Sequence, residues 1–179
     1  QENAEVVWRA AGGDKDAEIL CAPAQSERDT DDGQNVFLHT ARLENLIPGT
    51  AYEYRLIAGD ESTDWTPLSS ENGGSFKALI FPDSQSSDYT DWKNLARDAF
   101  RRNPDAALWV NMGDLTDNWE SFFHWEGWQT ATDASLGSRA FAPVLGNHEC
   151  YSSDWGITLP SAFLGLFATP PNGSAQYER

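Results

Sequence analysis

Residues 106–118 read AALWVNMGDLTDN, an apolar run that gives way at Gly113 to carboxylate, hydroxyl and amide side chains. A continuous apolar run of this length is typical of a β-strand that is buried on both faces, as in a parallel sheet. Two other segments repeat the arrangement, FKALIFPDSQ at residues 76–85 and FAPVLGNHE at residues 141–149. Three apolar runs, each followed by a polar cluster, therefore predict three parallel strands.

The residues between these runs predict the helices that parallel strands require. Apolar side chains recur at helical spacing along one face, namely Trp92, Leu95, Ala96, Ala99 and Phe100. Asp91 suits the first turn of this helix and Arg101 and Arg102 suit the last. A second helix is predicted over residues 119–130. The pattern is that of βαβ units, and thus of an α/β domain.

The first 75 residues have a different pattern, that of short strands. Strands are predicted over residues 4–10, 17–21, 35–43 and 51–57, with a polar loop over residues 26–34. This spacing favours a β-sandwich. Residues 68–75, rich in Ser, Gly and Asn, indicate a linker. We therefore predict a β-sandwich over residues 1–75 and an α/β domain over residues 76–179.

Composition excludes several classes of partner. The chain has 12 Lys and Arg against 28 Asp and Glu, a formal charge of −16, so it is poorly suited to bind nucleic acid or anionic membranes. Its apolar runs are far too short to span a bilayer. The two cysteines, Cys21 and Cys150, are predicted to be separate thiols.

The polar clusters indicate where chemistry would occur. The carboxyl ends of parallel strands share one edge of the sheet, which is where α/β proteins bind ligands. Asp83, Asp114 and Asn147 would therefore face one crevice. Carboxylates brought together repel unless cations lie between them, and their oxygens suit hard or borderline divalent metals. Paired metals of this kind activate water and clamp the oxygens of a phosphoryl group.

Two segments carry a resemblance to known families. The segment LENLIPGTAYEYR, residues 43–55, resembles the corner of fibronectin type III-like domains, in which Tyr52 would pin the turn with its hydroxyl. The combination of Asp83-Ser84-Gln85, Gly113-Asp114 and Gly146-Asn147-His148-Glu149 resembles the calcineurin-like metallophosphoesterase family. With the preceding β-sandwich, the chain is most similar to the branch of purple acid phosphatases with an N-terminal fibronectin type III-like domain.

This resemblance implies roles for the matched residues. Metal ligation falls to Asp83, Gln85, Asp114 and Asn147, with Asp114 bridging two divalent or Fe/Zn/Mn-type ions. His148 would contact the phosphate and protonate the leaving group, and Glu149 would orient that histidine. The implied function is hydrolysis of a small phosphate ester by metal-activated water, as in acid phosphatases.

The chain departs from the family pattern at three places. Gln85 stands where the family has a histidine, which weakens the first metal site. Asp117 stands where purple enzymes have the tyrosine that gives their colour, so we expect a colourless protein. The later histidine elements of the family do not occur after His148, so we expect the chain to be the N-terminal half of an incomplete domain. Its partner would be the remaining C-terminal half, in the same or a separate polypeptide.

Two functions therefore stand as hypotheses. The first is a metal-dependent phosphoesterase, of which residues 1–179 alone would be weakly active or inactive. The second is a non-catalytic binding or adhesion module built on a degenerate phosphoesterase half. The β-sandwich and the first residue, Gln1 rather than Met, favour a secreted or extracytoplasmic location.

Overall fold

A computed structural model describes residues 3–12, 19–31, 34–69, 73–152 and 154–168. The first part of the chain is all β. Its strands are β1 (Ala4–Ala10), β2 (Leu20–Pro23), β3 (Gln25–Asp31), β4 (Gln34–Thr40), β5 (Ala51–Ala58), β6 (Glu61–Ser62) and β7 (Thr66–Ser69).

These strands form two antiparallel sheets. The larger has the order β2-β1-β5-β6, with β7 also paired to β5, and β3 and β4 form a separate two-stranded sheet. The loop predicted over residues 26–34 is wrong for residues 26–31 and 34, because β3 pairs with β4 from Gln25 opposite Thr40 to Asp31 opposite Gln34. Residues 32 and 33 lie outside the described residues. Backbone pairing satisfies the peptide groups whatever the side chains are, so polar residues did not prevent a strand. Of the strand predicted over residues 17–21, residues 17 and 18 lie outside the described residues.

The predicted tyrosine corner is confirmed as a contact. The Tyr52 hydroxyl accepts a hydrogen bond from the Ile47 backbone N–H at 2.8 Å. Tyr52 is buried with Trp8 and Ala22, and partly buried side chains that include Leu43 and Leu46 pack against them. The corner thus fixes the chain before β5 against the small apolar core of the larger sheet.

The second part alternates strands and helices, as predicted. Its elements are β8 (Lys77–Phe81), α1 (Thr90–Arg102), β9 (Ala106–Asn111), α2 (Phe122–Leu136), β10 (Ala140–Pro143) and α3 (Ser161–Leu166). The three strands make a parallel sheet in the order β10-β9-β8. The second helix begins later than predicted, since residues 118–121 form a turn in which Asn118 Oδ1 accepts the Glu120 N–H at 3.0 Å. The predicted linker is shorter on its N-terminal side, because β7 continues to Ser69; residues 70–72 lie outside the described residues.

An aromatic core lies between the sheet and its helices. Trp109 on the central strand is fully buried and stacks on Phe141 of β10 at 3.9 Å between ring centroids. Trp92, Ala96 and Phe100 of α1 are buried as predicted. Leu95 was predicted on the same face, but it is 60% exposed. Its position at the edge of the apolar stripe turns it towards solvent.

The opposite face of the parallel sheet is apolar and exposed. Successive residues of a strand point to opposite faces, so Ile80 and Val110 face away from the helices that cover Phe81 and Trp109. Ile80 is 61% exposed, and Met112 and Val144, just beyond the ends of β9 and β10, are 56% and 46% exposed. Within the described residues, no helix has the length and apolar character needed to cross a membrane.

Candidate functional site

The three polar clusters lie side by side at the carboxyl edge of the parallel sheet. The strands end in register, with Phe81 opposite Asn111 and Asn111 opposite Pro143. Beyond these ends, the Gln85 N–H donates to the Asp114 carbonyl oxygen at 2.9 Å. The His148 N–H donates to Asp114 Oδ1, also at 2.9 Å. The loop that carries Asp114 is therefore bonded to the loops on both sides of it.

Glycine makes the close approach of these loops possible. Gly113 has φ +102°, which L side chains rarely adopt, and a Cβ there would lie 2.7 Å from Gly146 Cα. A Cβ on Gly146 would in turn overlap Asp114 Oδ1. Asp83 and Asp114 themselves adopt φ of 40° and 50°. Left-handed backbone at a non-glycine residue is disfavoured and often marks functional sites.

Glu149 holds the turn after β9. Its carboxylate is fully buried, and Oε2 accepts the backbone N–H groups of Asp114 and Gly146, each at 2.9 Å. Oε1 accepts those of Leu115 at 2.7 Å and Thr116 at 3.2 Å. Burial raises the pKa of Glu149, and the backbone N–H donors oppose that rise. The carboxylate is thus committed to the backbone, whereas the resemblance gave Glu149 the role of orienting His148.

His148 is oriented by Asp117 instead. His148 Nδ1 lies 2.9 Å from the carbonyl oxygen of Asp117. A carbonyl can only accept, so Nδ1 carries a proton and Nε2 is the nitrogen left to act on a ligand. The Asp117 carboxylate is more distant, 4.0 Å from the same nitrogen. The imidazole is a quarter exposed and borders a pocket.

A buried polar network supports the first cluster. The Ser84 hydroxyl accepts hydrogen bonds from Asn111 Nδ2 at 2.6 Å and Trp128 Nε1 at 2.8 Å, and it donates to the Leu115 carbonyl at 3.3 Å. Ser84 was identified in the sequence only as the middle residue of its cluster. Trp128, on α2, gave no sequence signal beyond its apolar surface.

The predicted ligands fit an oxygen-bound cation in part. Gln85 Oε1 is buried and has no hydrogen-bond partner among the described residues, as expected of an amide oxygen that serves a cation. Asp83 and Asn147 are exposed at the rim and Asp114 is half-buried. The described residues contain no cluster of three or more His, Cys, Asp or Glu side chains that could hold a metal. The four predicted ligands are two carboxylates and two amides, side chains that suit a hard divalent ion better than a soft one.

Tyr89 is a residue of this region that the sequence analysis did not identify. It is buried at the start of α1, and its hydroxyl lies 3.0 Å from His124 Nδ1 and accepts the Asp117 N–H at 3.3 Å. Burial is the main cause that raises the pKa of Tyr89 to about 12, so the hydroxyl keeps its proton. Tyr89 thereby links α2 to the segment that orients His148.

A pocket of about 270 Å³ opens next to His148. The other residues that line it come from the loops after β9 and after the histidine cluster, namely Asp117, Asn118, Tyr151, Ser152 and Trp155. The predicted site residue His148 therefore borders a cavity, and the predicted ligands Asp83 and Gln85 lie on the other side of Asp114.

Comparison with known proteins places the fold. The chain matches no protein-family model, and no curated protein sequence matches it. It is similar to the solved structure of a purple acid phosphatase isolated from yellow lupin (Lupinus luteus) seeds, with a TM-score of 0.75 and 17% sequence identity. The match covers 94% of this chain and 36% of that chain, so the chain spans about a third of the length of the lupin protein. At this identity the likeness shows the fold alone, a partial metallophosphoesterase-like α/β domain with a parallel sheet.

Proposed function

We propose that this chain is part of a metal-dependent phosphoesterase that hydrolyses a small phosphate ester. The observation that carries the proposal is the junction at Asp114, which bonds both to the Gln85 segment and to His148 at one edge of the sheet. The similarity in fold to a purple acid phosphatase supports it. The site would take two divalent or Fe/Zn/Mn-type ions when the domain is complete.

The proposed division of labour follows from the chemistry of the side chains. Asp83, Gln85, Asp114 and Asn147 would hold metal through oxygen. When bound, the metal neutralises the charge of the phosphate and activates water. His148, with its Nδ1 proton held by the Asp117 carbonyl, would present a protonated Nε2 to the ester. It would give the Nε2 proton to the oxygen of the leaving alcohol as water attacks phosphorus and the P–O bond to that alcohol breaks. Glu149 keeps the Asp114 turn in place through four backbone hydrogen bonds.

The domain assignment is also part of the proposal. Residues 1–75 would be a fibronectin type III-like β-sandwich, supported by the antiparallel pairing and by the Tyr52 hydrogen bond to Ile47. Residues 76–179 would be the first half of the phosphoesterase domain, with the remaining half as its partner. The exposed apolar face around Ile80 supports such a partner. A β-sandwich module of this kind also supports an extracytoplasmic location.

Metal binding and turnover test the proposal. Binding of Mn²⁺ or Zn²⁺ is measured by calorimetry in the chain and, where the reading frame continues, in the longer polypeptide, together with hydrolysis of p-nitrophenyl phosphate. Asp114→Asn should weaken metal binding by at least about tenfold and abolish turnover. Asp60→Asn, at an exposed carboxylate in the β-rich part, is the matched control and should change neither.

Gln85→His provides a gain-of-function arm. It restores the donor that the family has at this position, so it should tighten binding of Zn²⁺. Metal binding that neither Asp114→Asn nor Gln85→His alters would contradict the proposed site.

The second candidate is a non-catalytic binding module. It is favoured by the lack, within the described residues, of a cluster of three acidic, histidine or cysteine ligands, and by Gln85 itself. Absence of metal binding and of turnover in the longer polypeptide would select this candidate.

A further inference from the structure

The pocket beside His148 has walls suited to a particular kind of group. The rings of Tyr151 and Trp155 lie 5.9 Å apart between centroids and are inclined at 56°. The Trp155 side chain is 73% exposed, so its face is available to a ligand. At this spacing and angle the two rings pack against each other as a tilted pair. Both line the cavity, which therefore has an aromatic wall made of two rings.

The charge of the pocket favours a cation. Asp117 contributes an exposed carboxylate and Asn118 an amide, and neither Lys nor Arg occurs among the described residues that line the cavity. The whole chain carries a formal charge of −16. Aromatic faces attract cations through the negative potential above the ring, and they bind alkylammonium groups in this way. Aromatic walls, one carboxylate and the lack of Lys and Arg among the described lining residues together favour a positively charged ligand.

The loop that carries Trp155 is held in shape. The Trp155 N–H donates to the Ser152 carbonyl at 2.8 Å, and the Ser152 N–H donates to the Gly156 carbonyl at 2.9 Å. Asp154 accepts from the Ser152 hydroxyl at 2.5 Å. This bonding keeps Trp155 at φ 65°, which is unusual for a bulky residue. A preorganised side chain loses little freedom when a ligand binds.

We propose that this pocket binds an alkylammonium group and that the preferred substrates are phosphate esters of amino alcohols, with choline or ethanolamine as the leaving group. The proposal rests on the proposed function, because His148, which would act at the leaving oxygen, borders the same cavity. The cationic end of the leaving group lies against Tyr151 and Trp155, close to the Asp117 carboxylate. The phosphate lies on the Asp114 side of His148.

Binding of the leaving group alone tests the pocket without metal or catalysis. The indole N–H resonance of Trp155 is followed by NMR as the chain is titrated with choline or with 3,3-dimethylbutanol, its uncharged carbon isostere. Choline should shift this resonance saturably and bind about two- to fivefold more tightly than the isostere, the difference that one exposed cation–π contact provides.

Variants localise the effect. Asp117→Asn should reduce the preference for choline over the isostere. Trp155→Leu, followed through the Tyr151 ring resonances, should abolish choline binding. Phe123→Leu, which removes an exposed aromatic ring outside the pocket, is the matched control and should leave it unchanged. Equal binding of choline and the isostere, or no shift of the Trp155 resonance, would overturn the proposal. Tighter binding of adenosine than of choline would also overturn it, since the pocket would then select flat rings.

Turnover separates this inference from the proposed function. In the longer, metal-loaded polypeptide, phosphocholine should be hydrolysed with a higher kcat/KM than 3,3-dimethylbutyl phosphate. Choline binding at Trp155 without hydrolysis of either ester would support the pocket and contradict the phosphoesterase. Hydrolysis of both esters at the same kcat/KM would support the phosphoesterase and overturn the pocket assignment.

Discussion

Glu149→Gln isolates the contribution of one buried carboxylate to the site. Each carboxylate oxygen of Glu149 accepts two backbone N–H groups. Glutamine keeps one side-chain oxygen and has an NH₂ group, itself a donor, in place of the other. Whichever way the amide is turned, two of the four backbone N–H groups then lose their acceptor. An unsatisfied buried donor costs about 1–3 kcal/mol, which gives about 2–6 kcal/mol for the pair. Because glutamine also removes the cost of burying a charge, we expect a loss of about 2–4 kcal/mol in the free energy of unfolding.

Urea unfolding followed by tryptophan fluorescence measures this loss. Glu126→Gln, at an exposed glutamate on α2, is the matched control and should change the free energy of unfolding by no more than about 0.5 kcal/mol. A loss below about 1 kcal/mol for Glu149→Gln would refute the reasoning, because the four contacts would then be worth no more than a single ordinary hydrogen bond.

Three further perturbations test other parts of the structure. Gly113→Ala should lower the free energy of unfolding in urea by about 2–5 kcal/mol, because both the positive φ of Gly113 and the approach of the Gly146 loop oppose a Cβ. Gly73→Ala, at a positive φ but in open space, is the control and should lower it by only about 1–2 kcal/mol. Equal losses for the two variants would contradict the close approach. Ionisation of Tyr89 is disfavoured in the folded state. The stability that its neutral hydroxyl contributes is therefore complete below the unfolded pKa of 10 and is lost as pH rises towards 12, by at most about 2.7 kcal/mol. Tyr89→Phe should flatten the plot of unfolding free energy against pH over this range, and an unchanged plot would be inconsistent with the raised pKa. Trp128→Phe removes the indole donor to Ser84 and leaves a void, and should lower the free energy of unfolding by about 2–4 kcal/mol; a change within about 0.5 kcal/mol would show that the network contributes little.

The parallel sheet could be predicted from the sequence because its signals are local. The apolar run that contains Trp109 and the helical spacing of Trp92, Ala96 and Phe100 each specify an element over a few residues. The carboxyl-edge rule then brought Asp114 next to His148 without further information. The structure agrees, with a hydrogen bond between the two residues.

Other features depend on contacts between distant segments and gave no local signal. The β3–β4 pairing is determined by backbone hydrogen bonds across a hairpin, and a charged segment such as residues 27–32 is typical of a loop when taken alone. The family resemblance gave Glu149 the role of orienting His148. The four N–H groups that it accepts belong to Gly146 and to a loop more than 30 residues earlier in the chain. The role of Tyr89 likewise depends on its distance from His124 and Asp117, which spacing does not reveal.

The exposed apolar face of the parallel sheet also affects the solubility of the protein. Helices cover one side, while Ile80, Met112 and Val144 remain open to water on the other. Exposed apolar side chains on one face promote association or precipitation. A mild detergent should therefore improve recovery of the isolated chain, and a dye that fluoresces in apolar surroundings should bind to it even when it is fully native. Replacing Ile80 with a charged residue would be expected to improve its colloidal stability and to leave the aromatic core on the other side intact.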